Sequence, residues 1–256
     1  GMLLSSPAGN DLPFDEDLCV QGRNFANKIW NAFRLIKGWE VVDDLKTPDE
    51  NNFAINWFSV KFNAVLEETE HNYSKYRISD VLMSVYKLIW DDFCSWYLEA
   101  VKPGFGQPVD KNTYQSTIAL LENCLKILHP FMPFLTEEIW QNIRQRNDTE
   151  ALIVTKYPEL NVYASDILDK FDFSANIISG VRAIRNEKGI SPKEKLELYA
   201  TDPTTESFNP KLIEKLANVV IQNSAELPEK AFTFRVGTSE FMIPVNESVD
   251  LEAEKQ

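Results

Sequence analysis

The strongest constraint on the fold is a set of four long segments in which apolar side chains recur every three or four residues. This spacing places the apolar side chains along one side of an α-helix. The segments cover residues 18–39, 52–73, 77–97 and 110–128, and a shorter one follows at 136–143. Because short joins separate them, they predict an antiparallel helical bundle.

The chain changes character after Pro158. One more helix is predicted from about Asp166 to Lys188, with Gly189 as its cap. Three later segments alternate with the period of two that is typical of strands, at 196–200, 232–236 and 241–245. The sequence therefore predicts a mainly α chain, in which the bundle is followed by a small α+β module with a short three-stranded sheet.

These patterns divide the 256 residues into four parts. Residues 1–17 are turn-rich and are interpreted as a lead-in, 18–160 form the bundle and 161–250 form the α+β module. Residues 251–256 are charged and helix-prone but have nothing to pack against. Gly1 before Met2 resembles the remnant of a purification tag. Both ends therefore predict a piece of a longer protein.

Charge and composition limit the classes of function. A formal net charge of -13 argues against a surface that tracks a polyanion throughout, so any nucleic-acid contact must be local. No apolar run reaches the roughly 20 residues that cross a bilayer, and no leader with a cleavage site opens the chain. The three cysteines, Cys19, Cys94 and Cys124, match no zinc-ligand spacing. We expect a cytoplasmic protein with reduced thiols.

The common catalytic motifs are absent from the sequence. There is no GxxxxGK[ST] loop, GxGxxG turn, HExxH pair or GxSxG elbow. His71 and His129 are better explained as structural or solvated side chains. Glu137 and Glu138 fall in the first turn of the short fifth helix, where the helix dipole favours carboxylates. The sequence therefore predicts no catalytic residue, no metal site and no cofactor in this chain.

The first helix has two contrasting faces. On a helical wheel, Phe25, Ile29, Ala32 and Ile36 share one side. The opposite side carries Arg23, Asn27, Trp30, Arg34 and Lys37. Residues 18–39 include four basic side chains, with Lys28 as the fourth, and no acidic one. A local charge of this sign is unexpected in a chain whose net charge is -13.

Two interpretations of this face remain open from the pattern alone. In the first, the face binds nucleic acid, since guanidinium groups hold phosphates, an exposed indole stacks on bases and asparagine reads base edges. In the second, Trp30 and Asn27 are buried between helices, and the basic side chains pair with acids such as Asp43 or Asp91.

A family resemblance favours the first interpretation. The sequence PAGNDLPFDEDL followed by GRNFANKIWNAFR closely resembles the start of the anticodon-binding domain of valyl-tRNA synthetases. Further segments resemble that family in the same order at 76–103, 127–141 and 180–192. The DFCSWYLE and HPFMPFLTEEIW stretches also occur in isoleucyl- and leucyl-tRNA synthetases, so these enzymes are alternatives. The RNFANKIWN stretch points to valine.

The resemblance implies a parent protein that is a class I ligase and attaches valine to its tRNA with ATP. The catalytic domain, which would bind ATP, and the editing domain would belong to the same full-length chain. The catalytic domain would end just before this piece, which would therefore not be an enzyme by itself. The family's C-terminal helical arm would begin near Asp250, so 251–256 would be its truncated start. A monomer is the default expectation.

The resemblance also implies that splayed anticodon bases enter a groove on the bundle. The candidate tRNA-binding residues on the first helix are Arg23, Asn27, Lys28, Trp30, Asn31, Phe33, Arg34 and Lys37. Phe33 lies beside the core stripe, which favours packing. Arg182 and Arg185 form a second cationic patch, although Glu187 beside them fits an ordinary solvated face equally well. An alternative of another class is a helical protein-interaction module without an RNA partner.

Overall fold

The structure is a computed structural model and describes residues 16–147, 149–201, 208–222, 228 and 230–245. The chain divides into two units, Gly1–Ala164 and Ser165–Gln256. The predicted lead-in before Glu16 and the predicted start of the arm at 251–256 lie outside the described residues.

Helices build the first unit. In chain order they are α1 (Glu16–Lys37), α2 (Asp49–Ser74), α3 (Ile78–Lys87), α4 (Leu98–Val101), α5 (Lys111–Leu128) and α6 (Pro133–Ile143). Two short strands, β1 (Val41–Val42) and β2 (Val109–Asp110), pair in parallel. The apolar stripe of α1 is buried as the wheel predicts, with Ile36 fully inaccessible. The mainly α fold is therefore confirmed.

A π-helical segment, Leu88–Tyr97, joins α3 to α4 where the sequence predicts one continuous α-helix. Within it the Ser95 hydroxyl donates to the carbonyl of Trp90, five residues earlier, at 3.0 Å. The rings of Phe93 and Tyr97 lie 5.3 and 5.2 Å from Phe58 of α2. Two aromatic rings of this segment thus pack against one partner. The apolar pattern does not distinguish this pitch from an α-helix.

α1, α3 and α6 run in the same direction. The ring of Phe25, early in α1, lies 4.7 Å from the ring of Tyr86 in α3. Lys28, later in α1, lies over Trp90, which belongs to the π-helical segment that continues α3. The start of α1 shares a groove with Phe131–Leu135 at the start of α6. Lys37, the last residue of α1, reaches the last carbonyls of α6. The C-terminal ends of α1 and α6 therefore lie together.

The second unit combines two helices with a sheet. The elements are α7 (Asp166–Glu187), β3 (Leu196–Ala200), α8 (Pro210–Ala217), β4 (Val219–Gln222), β5 (Ala231–Val236) and β6 (Ser239–Pro244). The sheet order is β4-β3-β6-β5, with β3 and β4 parallel and the other pairs antiparallel. Gly189, with φ of +66°, follows the end of α7 as predicted.

The predicted three-stranded sheet is corrected to four strands. β3, β5 and β6 correspond to the three predicted strands, and β4 was not predicted. β4 contains only four residues, VVIQ, and begins after the single residue Asn218 that follows the eight-residue helix α8. Segments this short carry too little periodicity to separate a strand from a helix end.

Candidate nucleic-acid interface

The face of α1 opposite the core is exposed and cationic. Arg23, Asn27, Asn31, Arg34 and Lys37 are all exposed. Among the residues that the structure describes, no ion pair joins Arg23, Arg34 or Lys37 to a carboxylate. The suggested acidic partner Asp43 pairs instead with Lys111, at 3.3 Å. The donor groups of Arg23 and Arg34 are therefore available to a ligand.

Trp30 lies at the border of this face and is half-buried. Its ring centroid is 5.5 Å from that of Phe33, and the two planes are tilted by 53°. Phe33 is only 6% exposed. Phe33 therefore packs against the indole of Trp30. Because its own ring is covered, the prediction that Phe33 stacks on RNA bases is corrected. The exposed part of Trp30 remains accessible for stacking.

Lys28 turns away from the exposed face and towards the π-helical segment. Its Nζ donates to the Ser95 hydroxyl at 2.8 Å and lies 4.0 Å from the ring centroid of Trp90. This Trp90 ring is itself stacked on Tyr86, with centroids 5.7 Å apart. A cation over an aromatic face contributes on the order of 1 kcal/mol. Lys28 thus packs α1 against its neighbour.

Lys37 links the ends of two helices. Its Nζ donates to the carbonyls of Asn142 and Ile143, at 3.1 and 3.3 Å, in the last turn of α6. These carbonyls have no partner within their own helix, and the C-terminal end of a helix attracts positive charge. Lys37 therefore fixes the end of α6 beside the cationic face of α1.

Sequence reasoning did not single out Arg144, which follows Ile143. Its Nε donates to Glu122 of α5 at 2.8 Å, and hydrogen bonding to Glu122 raises the pKa of Arg144. Arg146 binds the same carboxylate and stacks on the ring of Trp140, 3.7 Å from its centroid. The Arg146 side chain is 4% exposed, whereas that of Arg144 is 58% exposed. The signal in the sequence was the pair of arginines directly after the last turn of a helix.

The second predicted cationic patch is corrected in part, because Arg185 is buried. Only 5% of this residue is exposed, and burial lowers the pKa of its guanidinium. The group donates to four backbone carbonyls, those of Ser191, Glu194, Ala217 and Asn218, at 2.7 to 3.1 Å. Arg185 therefore holds segments of the second unit together through hydrogen bonds and is not accessible to a nucleic acid.

Arg182 is exposed, but it also interacts with its own unit. Its Nη2 donates to the carbonyl of Leu216 near the end of α8, at 3.2 Å. The carbonyls at that helix end thus attract both arginines of α7. The structure does not bring Arg182 and Arg185 together on one exposed surface.

The described residues form neither a cluster of metal ligands nor a membrane-spanning helix. Among them, no three His, Cys, Asp or Glu side chains are grouped as metal ligands would be. In the same part of the chain, no helix is both long enough and apolar enough to cross a membrane.

Comparison with known proteins shows the family of the chain. The family described as the anticodon-binding domain of tRNA ligase matches residues 56–200. The valine–tRNA ligase of Christiangramia forsetii is 51% identical over 100% of this chain and 30% of its own length. Those of Parabacteroides distasonis and Thermosynechococcus vestitus are 46% and 33% identical, over 99% and 93% of this chain. The chain spans 28 to 30% of the length of these relatives.

Proposed function

The chain belongs to the family of anticodon-binding domains of tRNA ligases, and from this membership we propose that the exposed face of α1 binds the anticodon loop of a valine tRNA. The observation that carries the proposal is the set of exposed donors on one helix face, Arg23, Asn27, Asn31 and Arg34, with Trp30 at its border. The proposed specificity for valine rests on the relatives, which are valine–tRNA ligases and are similar to this chain over nearly its whole length.

The physical basis is recognition of single-stranded RNA. Loop bases that are splayed out can stack on an aromatic ring, accept hydrogen bonds from guanidinium and amide groups, and keep their phosphates near cations. From Arg23 to Arg34 the helix rises about 16 Å, at about 1.5 Å per residue. That length lets one face contact several nucleotides of a loop.

The wider activity is proposed on the same grounds. The chain acts as part of a class I ligase that attaches valine to its tRNA using ATP in the cytoplasm. Catalysis, ATP binding and editing belong to other domains of that ligase, and this chain supplies anticodon recognition.

The test is a titration of the chain with a valine tRNA anticodon stem-loop and with the same stem-loop carrying an altered anticodon. We expect the first stem-loop to bind more tightly than the second. Its dissociation constant should lie in the range of about 10⁻⁴ to 10⁻⁶ M, because the negative net charge of the chain opposes RNA binding. Arg34→Ala should abolish the preference. Arg77→Ala, which removes an exposed arginine at the start of α3, is the matched control and should leave it intact.

Two outcomes would contradict the proposal. Equal binding of both stem-loops would show general electrostatic attraction without anticodon readout. A preference that survives Arg34→Ala and is lost in Arg77→Ala would place the readout away from the face of α1.

A further inference from the structure

A further exposed arginine lies near the C-terminal end of the cationic face of α1. Lys37 Nζ lies 3.3 Å from the carbonyl of Ile143, and the Cα of the next residue, Arg144, follows that of Ile143 by about 3.8 Å. Arg34 precedes Lys37 by one turn, and a turn of helix rises about 5.4 Å. Two exposed arginines, Arg34 of α1 and Arg144 directly after α6, therefore lie at the same end of the bundle.

Two carboxylates, those of Glu122 and Glu150, act on the charge of Arg144, and the first is shared with another arginine. Glu122 is the carboxylate that both Arg144 and Arg146 bind. Arg146 is nearly inaccessible and also donates to the carbonyl of Trp140, so its charge serves the interior of the unit. Arg144 uses one edge of its planar group on Glu122 and keeps the other edge towards solvent, with 58% of the side chain exposed.

Such an arginine is suited to phosphate. A guanidinium has five donors in a fixed plane, and its geometry matches two oxygens of a phosphate. Since Glu122 fixes one edge, the other edge is held in a single orientation before any ligand binds. A preorganised donor loses less side-chain entropy on binding than a freely rotating lysine.

We propose that Arg144 is an RNA-binding residue that holds a backbone phosphate of the loop bound on α1, and that Lys37 is the positioning residue that sets Arg144 beside that face. This inference rests on the proposed function, because the loop on α1 determines which phosphate reaches Arg144. A phosphate contact positions the RNA without reading its sequence. Arg144 therefore adds affinity for both anticodons, whereas Arg34 adds preference for one.

The decisive experiment measures stem-loop binding to the 256-residue chain and to Arg144→Gln across a range of salt concentrations. Each phosphate contact contributes about 0.7 to 0.9 to the slope of log K against log salt concentration. We expect Arg144→Gln to flatten the slope by about that amount and to weaken binding of both anticodons roughly three- to tenfold near 0.1 M salt. Arg144→Lys should restore the slope. Arg77→Gln, which removes the same charge from the other end of the bundle, should leave slope and affinity unchanged.

Lys37 is tested by coupling. If Lys37 acts by placing Arg144, Lys37→Met should flatten the slope by itself, and the double variant with Arg144→Gln should bind no more weakly than the weaker single variant. A lysine with only a structural role would lower the thermal midpoint and leave the slope alone. Circular dichroism of each variant checks that the helices form.

The outcomes separate this inference from the proposed function. If the wild-type chain prefers the valine anticodon but Arg144→Gln binds with an unchanged slope, the inference is wrong and the proposed function stands. An equal loss in Arg77→Gln would also refute it, because the effect would be one of net charge. If both stem-loops bind equally and Arg144→Gln still flattens the slope, the phosphate contact stands and anticodon readout fails. Absence of any binding would refute both.

Discussion

Two arginines, Arg34 and Arg185, show how tertiary context decides the role of a residue type. Both lie near the end of a long helix, and both were candidate tRNA contacts from the sequence. Arg34 is exposed, whereas Arg185 is buried with four carbonyl partners. The acceptors of Arg185 lie up to 33 residues further along the chain. Helical periodicity contains no information about acceptors that are so distant in sequence.

At the residue scale, Gly180 is a position where a single methyl group should matter. A Cβ at this position in α7 would lie 2.3 Å from two ring carbons of Phe234 in β5, closer than side chains approach one another. We expect Gly180→Ala to lower the free energy of unfolding by about 1 to 3 kcal/mol, because the ring must leave its packed position. Urea denaturation followed by circular dichroism measures this change.

Gly22 in α1 is the matched control, since a Cβ there would meet nothing within 4 Å. Gly22→Ala should raise the free energy of unfolding by roughly 0.5 to 1 kcal/mol, because alanine loses less backbone entropy in a helix. A Gly180→Ala protein as stable as the wild type would show that the Phe234 ring can move aside without cost.

At the scale of elements, the start of α5 depends on one carboxylate. Asp110 caps this helix by accepting from the Thr113 amide at 2.8 Å, and the Thr47 hydroxyl donates to it at 2.6 Å. Burial raises the pKa of Asp110. The hydrogen bonds from Thr113 and Thr47 together lower the pKa by more than burial raises it, so the net shift is downward. The folded state therefore favours the charged form.

The stability contributed by Asp110 should depend on pH. A carboxyl whose pKa is lower in the folded chain than in the unfolded chain stabilises above the unfolded pKa, about 3.9, and that contribution is lost as the pH falls through the folded pKa. We expect Asp110→Asn to cost about 1 kcal/mol at pH 7 and progressively less below about pH 4. Denaturation of both proteins between pH 7 and 2.5 measures the difference.

Asp172→Asn, at an exposed position on α7, is the control and should differ from the wild type by less than about 0.5 kcal/mol throughout. A cost for Asp110→Asn that stays constant down to pH 2.5 would show that the shape of the cap matters and its charge does not.

The sequence predicts elements well where they are long and amphipathic. The apolar stripe from Phe25 to Ile36 gave the buried face of α1. The start of the short fifth helix was predicted less well: it was placed at residue 136, whereas α6 begins at Pro133, whose fixed φ suits a helix start. α8 and β4 were missed because each is too short to show a period. The roles of Lys28 and Lys37 were also missed, because their partners, Ser95 and the carbonyl of Ile143, belong to other helices.

At the scale of the whole molecule, charge should limit RNA binding to a small contact. The net charge is -13, and the exposed cations of the proposed RNA-binding surface are Arg23, Arg34 and Arg144. With about 0.7 to 0.9 per phosphate and no more than three such contacts, the slope of log K against log salt concentration should be no steeper than about -3. Fluorescence anisotropy of a labelled stem-loop from 50 to 200 mM salt gives this slope. A slope steeper than about -6 would show phosphate contacts over a much larger surface.

The hydrogen bonds of Arg185 limit how early the second unit can complete its folding during protein synthesis. Its last acceptor, the carbonyl of Asn218, is 33 residues closer to the C-terminus. Ribosomes add about 5 to 20 residues per second, so the guanidinium is made roughly 2 to 7 s before that carbonyl exists. For most of this interval the guanidinium has only its two nearer acceptors, the carbonyls of Ser191 and Glu194, so the bonding found in the folded unit is incomplete. Completion of the second unit is thus tied to translation beyond α8.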